Sequence, residues 1–248
     1  MISISPNAAA QHRDLMRRNH LLAALPSAEF ERWRPQFEAV DLKCGEVLCE
    51  SGSIPNSVIF PLTAIVSLSY LTQDGATAEF GVVGNDGMVG IAVFLGGQAA
   101  PGRAIVQSAG QGLRLSAQVL RDTLQHASPV LTLLLRYTQS LIVQMAQTAA
   151  CNRHHSINQQ LSRRLLMGLD RSPSSEVQMT HEAIANLLGV RREGITEAAL
   201  RLQHAGVIRY NRGRIEVLDR KRLAQRSCEC YAVARKEYQR LMPLPVAA

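Results

Sequence analysis

Met179 to Arg201 reads MTHEAIANLLGVRREGITEAALR, and its spacing has the anatomy of a helix-turn-helix. Thr180 is placed to cap a first helix, because its hydroxyl can accept from one of the backbone N–H groups that a helix start leaves without partners. Ala185 is small where two helices cross, and Gly189, four residues on, supplies the turn between them. Ile195 anchors the second helix in a core shared with Ile184, Leu188 and Leu202. That arrangement exposes Arg191, Arg192, Glu193, Thr196 and Glu197 at the N-terminal end of the second helix, the end that enters the major groove of DNA in this motif, with Thr180 and His181 at the start of the first helix completing the candidate contact set. Other short helical hairpins share such spacing, so the segments on either side decide the reading.

Downstream, Gly206-Val207-Ile208 leads into Arg209-Tyr210-Asn211-Arg212-Gly213-Arg214 and then Ile215-Glu216-Val217, two short strands around a basic, glycine-containing turn. That is the pattern of a wing, with Arg212 and Arg214 offered to backbone phosphates. Charge points the same way. Residues 1–150 hold 10 Lys+Arg against 11 Asp+Glu, a balance of −1, whereas residues 151–248 hold 17 against 9, a balance of +8. The basic half suits a polyanion or, alternatively, a solvated basic face. Only three of its cations and those of the rest of the chain are lysine; arginine suits bidentate contact with phosphate and guanine.

Upstream, residues 12–38 carry Leu21, Leu22, Leu25, Phe30, Trp33 and Phe37 at roughly helical spacing, with a restart at Pro26-Ser27. From about 39 to 118, apolar runs such as Val58-Ile59-Phe60 and Ala64 to Tyr70 alternate with turn residues, the texture of an antiparallel β-roll or jelly roll, and Asp74-Gly75 marks a hairpin. No glycine occurs between Gly112 and Gly168, which predicts a long helix. Leu134, Thr138, Leu141, Met145, Thr148, Asn152 and His155 form a heptad seam along it, either for a second copy of the chain or for packing on its own β domain. The expected fold is therefore α+β: a sensor-like β-roll over 1–125, a connecting and dimerisation helix over 126–169, and a winged helix-turn-helix with an extra C-terminal helix over 170–248. No stretch is long and apolar enough for a membrane span, no signal-peptide pattern opens the chain, and five cysteines without a repeating frame fit a reducing compartment. A cytoplasmic protein with no membrane partner is expected.

On these residues the chain resembles the Crp-Fnr family of bacterial transcription regulators over nearly its whole length: Gly45 at the start of the roll, Asp74-Gly75 in a hairpin, Asn85-Asp86 before a ligand cassette, a long helix, and Gly189-Val190-Arg191-Arg192-Glu193 before the recognition helix. The resemblance implies a homodimer on double-stranded DNA, with RNA polymerase as a further partner if the protein activates. It implies that Arg192 and Glu193 contact bases. The family's second base-reading arginine falls at Glu197, a departure that alters the expected operator; Glu197 either accepts from cytosine or pairs with Arg201 one turn on.

The same resemblance places the ligand cassette at Gly90-Ile91-Ala92-Val93, where cyclic-nucleotide binders carry Gly-Glu-Leu-Gly, and the phosphate-binding arginine near Arg103-Ala104. Ile91 has no carboxylate for a ribose hydroxyl, so cyclic AMP control is not expected; another small effector, of unknown identity, or none at all stays open for Gly90, Ile91, Arg103 and Ala104. No cofactor or metal is expected. Cys44, Cys49, Cys151, Cys228 and Cys230 lack a ligand-set spacing, and if Cys228 and Cys230 sit on a helix they point about 200° apart; they read as core or surface residues, with thiol redox sensing as the alternative. His154-His155 reads as a solvated helix face rather than a haem or metal site. Signature motifs of hydrolases, phosphate-binding loops and zinc peptidases are missing, so the chain reads as non-enzymatic. A regulatory subunit that acts on a protein partner is the rival, and the wing argues against it.

Overall fold

The computed structural model describes residues 15–125, 129–172 and 174–242; positions 12–14 of the expected first helix and 126–128 of the expected long helix lie outside them. Helices α1 (His20–Ala23) and α2 (Ser27–Trp33) run into a 3-10 turn, Arg34–Gln36. The helical reading through residue 38 fails at its end, where Glu38 opens a strand. Pro35 has no N–H to return to Glu31, so the helix stops. Asn19 caps α1, its Oδ1 accepting from the Leu21 and Leu22 N–H groups while its amide donates to Pro61 O at 2.9 Å and Gly87 O at 2.8 Å.

Strands β1 (Glu38–Leu42), β2 (Val47–Cys49), β3 (Ser57–Pro61), β4 (Ile65–Leu71), β5 (Thr77–Val83), β6 (Arg103–Ser108) and β7 (Gly110–Ser116) make two antiparallel sheets, β1-β7-β3 and β2-β6-β4-β5. Asp74-Gly75 does sit at the tip of the β4–β5 hairpin, closed by the Thr72 N–H donating to Ala76 O. The period of two divides β3 between two cores. Val58 and Phe60 pack under the N-terminal helices with Phe30 and Trp33, whereas Ile59 packs inside the roll with Val66, Val83 and Val106.

After α3 (Ala117–Leu124) the expected long helix is two helices, α4 (Pro129–His154) and α5 (Ile157–Leu169). Ser156 separates them: its hydroxyl accepts from the Gln159 N–H, and Gln159 Oε1 accepts from the Ser156 N–H, a capping box that starts a new helix. Four of the seven seam residues turn inward. Leu134, Thr138, Leu141 and Thr148 are buried within the protomer, the packing on its own domain that the sequence left open.

The winged helix comprises β8 (Glu176–Gln178), α6 (His181–Leu188), α7 (Arg192–His204), β9 (Ile208–Asn211) and β10 (Arg214–Val217), in sheet order β8-β10-β9, followed by α8 (Arg220–Gln225) and α9 (Glu229–Leu241). α9 leaves the winged helix and lies back along the N-terminal half: Leu241 and Met242 share a core with Trp33, and the Tyr238 hydroxyl donates to Asp86 O at 2.7 Å. Two buried ion pairs tie α5 and the turn after it to the roll, Arg164 to Glu79 at 2.7 Å and Arg171 to Asp86 at 2.8 Å. Ile65 and Val82 of the roll complete the winged-helix core.

Candidate nucleic-acid interface

Local chemistry sets the two helices as the sequence requires. Thr180 Oγ1 accepts from the Ala183 N–H at 3.1 Å and so caps α6. α6 ends at Gly189, whose φ of +65° is the left-handed conformation that favours glycine at a helix C-terminus. Ile184, Ala185, Leu188, Ile195 and Leu202 are all buried in one core. Arg191 stands at the N-cap of α7 in an extended conformation, and its side chain makes no cap hydrogen bond. Arg191, Arg192, Glu193 and Glu197 are exposed, while Thr196 and His181 are half-buried.

The two half-buried residues form a joint within the interface. His181 Nδ1 lies 3.1 Å from Thr196 Oγ1, which also donates to Arg192 O. The His181 ring stacks on Tyr210 of β9, centroids 4.1 Å apart. Burial, with the positive charge of Arg192 as a smaller cause, lowers the His181 pKa below its ordinary value, so the imidazole at this joint favours its neutral form. Tyr210 is the residue that sequence reasoning passed over here; its place as the only aromatic in the basic wing segment was the available signal.

In the wing, Asn211 pairs with Arg214, leaving Arg212-Gly213 as a two-residue loop with φ of +44° and +82°. Positive φ at both positions is the type I′ hairpin that matches strand twist. For Arg212 this conformation costs roughly 1–2 kcal/mol, and it places the guanidinium at the wing's tip. Arg212 and Arg214 are both exposed. Thr180, His181, Arg192, Thr196, Tyr210 and Arg212 line one concavity of ≈ 710 Å³ between helix-turn-helix and wing. Glu182 lies 3.7 Å from Arg192, a loose surface pair. Glu197 is engaged more firmly: Arg201 Nη1 donates to its carboxylate at 2.6 Å, and Arg201 Nε donates to Asn158 Oδ1 at 3.2 Å.

The ligand-cassette residues divide. Gly90, Ile91 and Ala104 line an apolar cavity of ≈ 50 Å³ with Leu68, Phe80 and Leu141 among its walls. Arg103 is not among the lining residues; its Nε pairs with Glu50 at 3.1 Å.

Sequence spacing separated three cysteines and a histidine that the fold brings together. Cys151 and Cys228 have their Sγ atoms 3.5 Å apart, and Cys230 Sγ lies 3.6 Å from His155 Nδ1. The expectation that Cys228 and Cys230 diverge assumed a helix, but Cys228 is the N-cap of α9 in an extended conformation, φ −84° and ψ 169°, which redirects its side chain. His155 is half-buried rather than on a solvated face.

Residues 39–127 match the model of the cyclic nucleotide-binding domain, and residues 159–226 match that of the Crp-like helix-turn-helix domain. Among solved structures the chain is similar to FixK2 from Bradyrhizobium japonicum, with a TM-score of 0.65 at 15% identity over 77% of this chain and 98% of that one. It is similar to TTHB099, a CRP-family transcriptional regulator from Thermus thermophilus, with a TM-score of 0.62 at 18% identity over 76% and 96%. The c-di-GMP responsive global regulator CLP of Xanthomonas campestris superposes with a TM-score of 0.61 at 15% identity over 77% and 99%. At such identities the likeness is one of fold. No curated protein matches the chain. Among the described residues, no helix is long and apolar enough to cross a membrane.

Proposed function

Because the chain belongs to the Crp-Fnr family of transcription regulators, with both the cyclic nucleotide-binding-type domain and the DNA-binding helix-turn-helix, we propose that it reads a near-palindromic operator as a homodimer and does so without cyclic AMP. The observation that carries this reading is the groove between helix-turn-helix and wing, lined by the exposed Arg192 at the start of α7 and Arg212 at the tip of the wing, with Arg191 and Arg214, also exposed, next to them in the chain. Arg192 reads guanine through its paired O6 and N7 acceptors, and Glu193 accepts from a cytosine amino group. The wing arginines hold phosphates and fix the register. Thr180, His181 and Thr196 position these groups and stand within reach of the backbone.

The dimer uses the outward stripe of α4. Leu135 and Ile142 are 48% and 58% exposed, and with Gln139, Ala146 and Ala149 they alternate in steps of four and three, the spacing of a two-helix seam. Cyclic AMP independence is supported by three features of the roll. Ile91 offers no acceptor to a ribose, Arg103 is already paired with Glu50, and the cassette cavity of ≈ 50 Å³ is far below the roughly 300 Å³ at which small-molecule pockets begin.

Selection of bound sequences from random duplex DNA by the full chain tests the proposal. The expected result is a motif of two inverted half-sites about one helical turn, roughly 34 Å, apart, unchanged by millimolar cyclic AMP. A lone half-site, no enrichment, or enrichment only with cyclic AMP would overturn it.

A further inference from the structure

The cluster formed by Cys151, His155, Cys228 and Cys230 plays no part in the DNA-binding surface, and its chemistry is specific. His155 follows the last residue of α4, and its N–H donates to Cys151 O at 3.0 Å, so one helical turn separates the two and both lie on one side. Cys228 and Cys230 open α9. One ligand atom from each of the four lies within 4.8 Å of every other. The three cysteines are 1%, 4% and 2% exposed and form a small core of their own.

We propose that these four residues hold one zinc ion in a closed Cys3His tetrahedron. Zinc binds thiolate sulphur at about 2.3 Å and imidazole nitrogen at about 2.0–2.1 Å in a tetrahedron, which puts neighbouring donor atoms about 3.5–3.8 Å apart. The observed Sγ–Sγ separation of 3.5 Å and Sγ–Nδ1 separation of 3.6 Å match that requirement, and the other pairs, all within 4.8 Å, need to close by about 1 Å at most. A cubic iron–sulphur cluster interposes its own iron and sulphide and needs wider spacing. On binding, one Zn2+ replaces three thiol protons, which leave to solvent, and takes the lone pair of a neutral imidazole. The resulting complex carries one negative charge. Arg163, 4% exposed and close enough for its charge to act on all three cysteines, stands where that charge needs a counter-ion. Glu229 lies 3.2 Å from His155 Nε2, the carboxylate–histidine contact that orients a metal-bound imidazole.

The location gives the site its consequence. His155 immediately precedes the Ser156 break and α5, whose Leu161, Leu165 and Leu166 belong to the winged-helix core, and Cys228 is separated from the end of α8 only by Arg226 and Ser227. Zinc therefore clamps both roots of the DNA-binding unit to the end of α4.

The test uses full-length protein purified under reducing conditions, stripped with a chelator and titrated with Co2+ as the probe. The expected result is one Co2+ per chain with the intense visible bands and sulphur-to-metal charge transfer of a tetrahedral thiolate site, displaced by one equivalent of Zn2+. Cys228→Ser and His155→Gln should each weaken Co2+ binding by at least about tenfold and alter the bands, while Cys44→Ser with Cys49→Ser should leave both unchanged. Zinc removal should also speed proteolysis at the Ser156 break. Only the weak bands of hydrated Co2+ with the wild-type chain, bands that survive Cys228→Ser in a variant that folds by circular dichroism, or a proteolysis rate indifferent to zinc would each overturn the proposal. The wild-type titration decides the matter even if the variants fail to fold.

Discussion

Arginines packed against the roll and arginines on the surface of the winged helix are used in opposite ways. In and around the roll, arginines are committed internally: Arg103 to Glu50, Arg164 to Glu79, and Arg171 to Asp86, the last two pairs buried. In the winged helix, Arg201 and Arg209 pair with Glu197 and Glu216 on the surface, but Arg191, Arg212 and Arg214 are exposed, and Arg192 has only a loose surface partner. A guanidinium that already has a carboxylate in a dry site builds structure, and breaking its pair leaves an uncompensated charge. One that stands in water at a helix start or a hairpin tip is free to replace water with phosphate or a base edge. The difference teaches that net charge by itself locates only the half of the chain to examine, and that the partner of each arginine decides its role.

The comparison is broken most forcefully at Glu79. Glu79→Ala strands the buried Arg164 guanidinium and should cost about 3–5 kcal/mol, read as a lowered midpoint in urea unfolding. Glu79→Leu combined with Arg164→Met should regain most of that loss, because an apolar pair of similar volume carries no desolvation penalty. A loss below about 1 kcal/mol, the range of exposed pairs, would mean that the pair is wet in solution and that the contrast drawn above is wrong.

Next in size is the outward stripe of α4. Ile142→Glu places a charge on the proposed seam, and sedimentation should show a monomer where the parent chain is a dimer. Operator affinity should then fall roughly 100-fold, since two tethered half-site contacts become one. A variant that stays dimeric would move the interface elsewhere.

Within the winged helix, Arg192→Ala and Arg212→Ala sharpen the division between reading and holding. The first should cost about 1–3 kcal/mol on the selected operator and relax preference at one base position. The second should weaken binding to all sequences alike and reduce the steepness of the salt dependence by about one phosphate contact. Equal loss of preference in both would erase the distinction between helix and wing.

The helix-turn-helix was legible because its demands are local: a cap at Thr180, a left-handed glycine at Gly189, and apolar residues on one face. The roll was legible through its alternation and its turns. The Ser156 break had a visible signal, a serine three residues before Gln159, masked by the absence of glycine and proline around it. The inward turn of the α4 seam was not legible, because Leu134 and Leu135 are equally apolar and only the packed roll and α9 choose between them. Nor was the cysteine cluster, whose members come from chain segments on either side of the winged helix and meet only because α9 folds back along α4. The buried pairs Arg164–Glu79 and Arg171–Asp86 are likewise properties of the tertiary arrangement.

Glu197 is where the comparison predicts the smallest effect. It stands on the reading helix, yet its carboxylate is held by Arg201 in the way the roll holds its own charges, at 2.6 Å and one turn along. Both side chains are more than half exposed, 67% for Glu197 and 53% for Arg201, so the pair contributes only about 0.3–0.5 kcal/mol to the helix. Arg201 is held in turn by Asn158 of α5, a second anchor on the guanidinium that holds the carboxylate. Glu197→Ala should therefore shift stability by no more than that amount, and DNA selection with the variant should return the parent motif at every position. Glu197→Arg adds a donor on the groove side and places it beside Arg201, a like charge one turn away; it should change the selected base at one position of each half-site. A motif altered already by Glu197→Ala would mean that the carboxylate leaves Arg201 when DNA arrives and accepts from a base, so that a residue committed in the free protein becomes a reader in the complex.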